Sequence, residues 1–138
     1  GIVPKIKKEQ ILGLLIDEAA VSLRHYEENM NAMLGCWLGM DEPSAKKEAE
    51  EKLDAAKWIE DTYIPSFINS SNQEIWFLDS AEDLVEALEK NGTDYEFFYR
   101  GPELDKLEHG YMQRFTSNRY AKECLEHLVA FMKRQEKK

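Results

Sequence analysis

The groups in this 138-residue chain that could do chemistry are 3 histidines, 2 cysteines and 27 acidic side chains. His25 and Glu28 lie one helical turn apart, and Glu123 and His127 have the i, i+4 spacing that puts two ligands on one helix face. Facing each other, such helices would assemble a carboxylate–histidine metal site. A di-metal bundle needs Glu-x-x-His on two helices, however, and neither segment has that spacing; HExxH is also absent. No metal, cofactor or catalytic residue is therefore assigned. Cys124 and His127 share a helix face, but neighbours on one helix point in parallel and converge poorly for nucleophilic catalysis. Cys124 falls on an apolar stripe and reads as a buried, inert thiol, with Cys36 as a second reduced cysteine.

Phosphate-binding and nucleophile-elbow motifs are missing: there is no GxxxxGK[ST], GxGxxG or GxSxG. Aromatic residues crowd the stretch from Tyr95 to Tyr120, interleaved with Arg100, Arg114 and Arg119. That composition suits base stacking or a small-molecule pocket, but it suits equally a core of bulky rings around a small sheet, which is the expectation here. The net charge is −9 and the pI about 4.9, which argues against direct nucleic-acid binding through phosphate neutralisation. Between 74 and 96 the chain carries 8 acidic residues against 1 basic, whereas 117–138 has 6 basic and 3 acidic. Glu82, Asp83, Glu86 and Glu89 thus form either a solvated face or an acidic docking surface for a basic partner.

These residues need elements to hold them. Leu12, Ile16, Ala19, Leu23, Tyr26, Met30, Met33, Trp37 and Met40 recur at alternating spacings of four and three. The repeat predicts one helix from Lys5 to Leu38, about 50 Å long, ended by Asp41-Glu42-Pro43. Leu14, Leu15 and Val21 lie off this seam. A second helix, Ser44 to Tyr63, would pair antiparallel with it through Ala45, Ala49, Leu53, Ala56, Ile59 and Tyr63. Trp58 lies opposite that stripe, either covered by a third element, the simpler expectation, or exposed as an anchor for a partner. Asn69 to Gln73 reads as a polar linker, Glu74 to Asp79 as a strand, Ser80 to Gly92 as a capped helix and Tyr95 to Arg100 as a second strand. A helical turn at Ile75 to Leu78 is the competing reading, because short apolar runs are ambiguous. Residues 103–116, which include His109 and Gly110, show no clear pattern, and a final helix runs from Thr116 or Ser117 to Arg134.

The expected architecture is mainly α and a single domain over 2–138: a helical hairpin at 5–64, a strand–helix–strand insert at 74–100 and a C-terminal helix at 116–134. No membrane span or signal-peptide pattern is evident, and Gly1 is set apart from the fold. The expected protein is cytoplasmic and non-catalytic, an interaction or regulatory protein. It forms a homodimer through the heptad seam, with Tyr26, Met30, Met33 and Trp37 as the pairing residues and Trp58 as a further contact. Two alternatives stand beside it. One is an acidic nucleic-acid mimic that inhibits a basic partner protein, and the other is a hydrolase using a histidine–carboxylate cluster around His25 or His127.

Overall fold

A computed structural model describes residues 6–22, 35–36, 38–48, 51–52, 54–60, 63–73, 75–101 and 105–138, with backbone alone at 8, 42, 46, 75 and 76. The protein is an α/β fold built on a three-stranded parallel sheet. The strands are β1 (Leu14–Asp17), β2 (Ser66–Ser70) and β3 (Tyr95–Tyr99), in that spatial order. Among the described residues the helices with defined bounds are α1 (Glu42–Glu48), α2 (Ile75–Lys90) and α3 (Arg119–Gln135). Leu14 aligns with Ser66, and Ser66 in turn with Tyr95, so the three strands start level and their carboxyl ends open on one side.

This overturns the expected mainly-α bundle and its long helix pair. Leu12 and Ala19 lie outside any helix and Ile16 lies in β1, so the heptad spacing there is coincidental. Leu14 and Ile16 turn to the covered face of the sheet, while Leu15 on this edge strand points outward and is 51% exposed. Tyr26, Met30, Met33 and Trp37, with His25 and Glu28, lie outside the described residues. In place of one regular helix to Tyr63, α1 is defined over Glu42–Glu48, residues 51–52 are π-helical, and Ala55–Trp58 forms a 3-10 turn capped by Asp54, whose carboxylate accepts the Ala56 N–H at 3.2 Å. Glu74 to Asp79 is not a strand, because Ile75 to Leu78 forms the first turn of α2.

The unexpected strand is β2, buried at all five positions. Only Phe67 and Ile68 are apolar, and the polar residues survive burial by finding partners. Ser66 Oγ donates to the Ile64 carbonyl at 2.9 Å, Asn69 Nδ2 donates to Asp17, and Ser70 Oγ donates to the Ser71 carbonyl at 3.2 Å. Alternation along β2 sends Phe67 and Ile68 to opposite faces. Phe67 enters a core with Phe98, Leu107, Tyr111, Tyr120, Cys124 and Phe131 under α3, and Ile68 one with Leu84, Leu88 and Ile59 under α2. One expectation holds, and the last helix starts later than the expected Thr116 or Ser117. Gly92, at φ +65, ends α2 with its N–H on the Glu89 carbonyl at 3.0 Å. Asn118 caps α3, its side chain accepting from Tyr120 N at 2.9 Å and Ala121 N at 3.1 Å.

Candidate functional site

In parallel α/β sheets, side chains gather for ligands and chemistry beyond the carboxyl ends of the strands. At that end of β1 the chain places two carboxylates in succession. Asp17 accepts the Asn69 amide across the strand pair. Its carboxyl is pushed above the usual range, because burial outweighs the Asn69 hydrogen bond and the charge of His109. Glu18 follows at φ +46, a left-handed conformation rare outside glycine, while its N–H stays on the sheet ladder, 3.0 Å from the Asn69 carbonyl. That twist folds the Glu18 side chain inward, where it is 1% exposed.

Glu18 Oε2 meets two groups from the segment after β3. The Gly110 N–H donates to it at 2.5 Å, and His109 Nδ1 lies 3.0 Å away. Gly110 adopts φ +73 at the start of the 3-10 turn Tyr111–Arg114, which turns the chain back towards Glu18. The imidazole of His109 is half exposed. Phe77, on the first turns of α2, stacks on it with a centroid separation of 4.7 Å and an interplanar angle of 28°. Asn72 braces the approach by bonding the carbonyls of Gly101 (3.2 Å) and Asp105 (3.1 Å) and accepting Leu107 N–H at 2.8 Å. Three elements thus fix one imidazole: β1 through Glu18, α2 through Phe77 and the 105–110 segment through its own backbone. A buried carboxylate on Nδ1 orients an imidazole and leaves Nε2 to exchange protons.

The chain matches no known protein family, curated protein or solved structure at a significant level. Chemistry must therefore be read from the residues themselves.

The residues singled out in the sequence are spread elsewhere. Glu123 pairs with Arg100, and His127 Nδ1 lies 2.7 Å from Glu96 Oε1, so both side chains of the proposed metal pair are engaged by β3 or its flank. Among the described residues no group of three or more His, Cys, Asp or Glu side chains is arranged to hold a metal. Cys124 is buried, its thiol is pushed up to about 12 by burial, and it contacts Met112 Sδ at 3.4 Å, which makes it no nucleophile. The aromatic stretch splits as well. Phe98, Tyr111 and Tyr120 are core, while Arg100 and Arg119 stack over Phe98 and Tyr120 within the molecule.

On α2, Glu82, Glu86 and Glu89 are exposed, but Asp83 turns in and accepts Ser22 Oγ–H at 2.5 Å. Asp83 and Glu86 line a cleft of about 420 Å³ with Lys57, Ile59 and Lys90. Trp58 is 61% exposed rather than covered. Among the described residues no helix is long and apolar enough to cross a membrane. The His109–Glu18 pair went unseen because each half lacked a local signal. Glu18 fell inside an assumed helix, and His109 sat in an aperiodic stretch. The legible hints were two acids closing an apolar run and a His-Gly step between elements.

Proposed function

We propose that this chain carries the acid–base pair of a hydrolytic site, with His109 as general base and Glu18 as its orienting carboxylate. The observation that carries the reading is the 3.0 Å approach of His109 Nδ1 to a fully buried Glu18 at the carboxyl end of a parallel strand. With the Nδ1 proton directed at Glu18, Nε2 carries the imidazole's lone pair. It would draw a proton from an attacking water or hydroxyl and return it to the leaving group. Glu18 offsets the positive charge that the imidazole acquires in that step. The stacked Phe77 ring limits rotation of the imidazole, and a base held in one geometry accelerates the step more than a free one.

Hydrolysis of an activated aryl ester by the whole chain tests the reading. His109→Gln should remove the catalysed rate, and Glu18→Gln should lower kcat by about 10²-fold or more with little change in KM. Ester hydrolysis that is absent in the wild type, or equal in wild type and His109→Gln, overturns it.

A second reading is favoured by the exposed row Glu82, Glu86 and Glu89 on α2, which suits docking of a basic protein. Binding of a basic partner that weakens steeply with salt and disappears on reversing those three charges would support it. Binding indifferent to both would exclude it.

A further inference from the structure

The sheet ends at β1, and its outer edge is open. The Leu14 N–H reaches the Pro65 carbonyl at 2.9 Å and the Glu18 N–H reaches the Asn69 carbonyl at 3.0 Å. Bonding groups alternate along a strand, so the N–H and C=O of Leu15 and Asp17 point to the other side. Neither has a backbone partner there among the described residues. Leu15 aligns with Phe67 and takes the sheet face on which α3 packs. But α3 is seated over β2 and β3, which leaves a groove of about 470 Å³ between its flank and β1. Gly13 and Leu15 line it from the strand side, and Leu128, Val129 and Met132 from the helix. Leu15 and Val129 are exposed, as are Ile11 and Leu12 shortly before β1. An unpaired strand edge beside exposed apolar side chains is a template for another strand with an apolar face of its own.

Charge selects the occupant. The acidic excess lies between 74 and 96, mostly on α2, which packs on the opposite face of the sheet. The groove itself carries one cation, Lys133, and one anion, Glu136, so it is neutral. Arg134 and Lys138 beside them pair with Glu96 and Asp94, whereas neither Lys133 nor Glu136 has an ion-pair partner among the described residues. A strongly basic or acidic partner gains nothing from such a patch. A second copy turned by a two-fold axis presents the same two charges in the opposite order, with the same open edge and the same apolar lining. We infer that this groove is the interface of a two-fold homodimer, in which β1 pairs antiparallel with its counterpart through Leu15 and Asp17 and buries Leu15 and Val129. An axis perpendicular to the sheet keeps both α3 helices on one face, so the two grooves merge beneath them and the two sheets become one. Lys133 then faces Glu136 of the partner subunit. None of this uses Glu18, His109 or Phe77, so the dimer is independent of the hydrolytic reading.

Sedimentation equilibrium of the full chain should give twice the 16.1 kDa chain mass, falling to one chain mass on dilution. Leu15→Lys puts an ammonium group from each copy into the apolar seam and should weaken the dimer by about 100-fold or more. Lys133→Glu and Glu136→Lys should each weaken it by about 10-fold, and the two together should restore it, because a two-fold interface regenerates both pairs with their signs exchanged. A chain that is monomeric at every concentration, or a dimer that survives Leu15→Lys unchanged, overturns the inference. So does a double variant no tighter than the single ones. A further measurement needs no variant. In the wild type the Leu15 and Asp17 amides should resist hydrogen exchange when the protein is concentrated and exchange freely when it is dilute. The Ile16 amide, on the ladder to β2, should stay protected throughout. Leu15 and Asp17 exchange that does not change with concentration overturns the proposal even if a variant fails to fold.

Discussion

At the residue scale, the site depends on two backbone conformations in the left-handed region, Glu18 at φ +46 and Gly110 at φ +73. Glu18 has a Cβ and tolerates that conformation only because its carboxylate is held there by the Gly110 N–H and by His109. Gly110 has no such compensation to offer a side chain; a Cβ there would meet the Gln113 amide only at ordinary contact distance, so the cost lies in the backbone conformation. Gly110→Ala should therefore cost about 1–2 kcal/mol. Chemical denaturation measures this, and an unchanged midpoint would mean that the turn re-forms without the left-handed residue. Asn69 gives a second residue-scale prediction. Asn69→Asp replaces the donor to Asp17 with a like charge, so stability at neutral pH should fall by about 2 kcal/mol or more. The loss should shrink as pH drops and one of the two carboxyls takes a proton. A variant equally destabilised at pH 4 and pH 7, values chosen about the carboxylate range, would place the damage in packing rather than charge.

At the element scale, legibility followed periodicity. The α3 helix was readable because its apolar face repeats at helical spacing, and β3 because Tyr95 to Tyr99 is a β-favouring run closed by Gly101. β2 was not, because Ser66, Asn69 and Ser70 look like linker until their buried partners are known. β1 was misread because Leu12, Ile16 and Ala19 fall on a heptad grid, and only pairing with β2 shows Ile16 to be in a strand. Contacts distant in sequence settle these elements, and spacing along the chain does not contain them.

The same limit hid the clasp between β3 and α3. Glu96 accepts Arg134 at 2.5 Å and meets His127 at 2.7 Å, and Asp94, just before β3, accepts Gln135 and Lys138, each at 2.6 Å. The Asp94 carboxyl is held below its ordinary value of 3.8, first by the Lys138 hydrogen bond. For Glu96, burial works upward, but the Arg134 and His127 hydrogen bonds outweigh it and bring the carboxyl below 4.5. A carboxyl depressed in the folded state contributes stability that is present above its unfolded pKa and lost as pH falls through the folded value. Acid should thus loosen the end of α3 at pH values below about 4. Hydrogen exchange of the Phe131–Gln135 amides checks this. Glu96→Gln should open them already at neutral pH and flatten the acid dependence, and exchange unaffected by the variant would show the clasp to be ornamental.

At the scale of the whole molecule, the structure leaves self-association open. The seam residues named for it lie outside the described residues, and the helix meant to carry them is interrupted by β1. Native mass spectrometry tests the homodimer directly: a clean multiple of the chain mass above one supports it, and a monomer refutes it. Charge supports a firmer expectation. The net charge of −9 is concentrated between 74 and 96, and Glu82, Glu86 and Glu89 stand exposed at i, i+4 and i+7 on α2, where like charges on one face repel. Opposing this are surface ion pairs such as Lys122–Glu126 and Arg119–Asp105, whose groups are mostly exposed and whose attraction solvent screens. Raising salt from about 0.01 M to about 1 M shortens the Debye length from about 30 Å to about 3 Å and screens both effects. Repulsion acts over the longer distances and involves the larger excess of charge, so its relief should win and the melting temperature should rise with salt. Replacing Glu82, Glu86 and Glu89 by Lys should flatten that rise, because it removes the local excess while leaving the core untouched. A melting temperature that falls with salt would show instead that the ion pairs on α3 outweigh the acidic face, and the basic-partner reading of that face would lose its electrostatic footing with it.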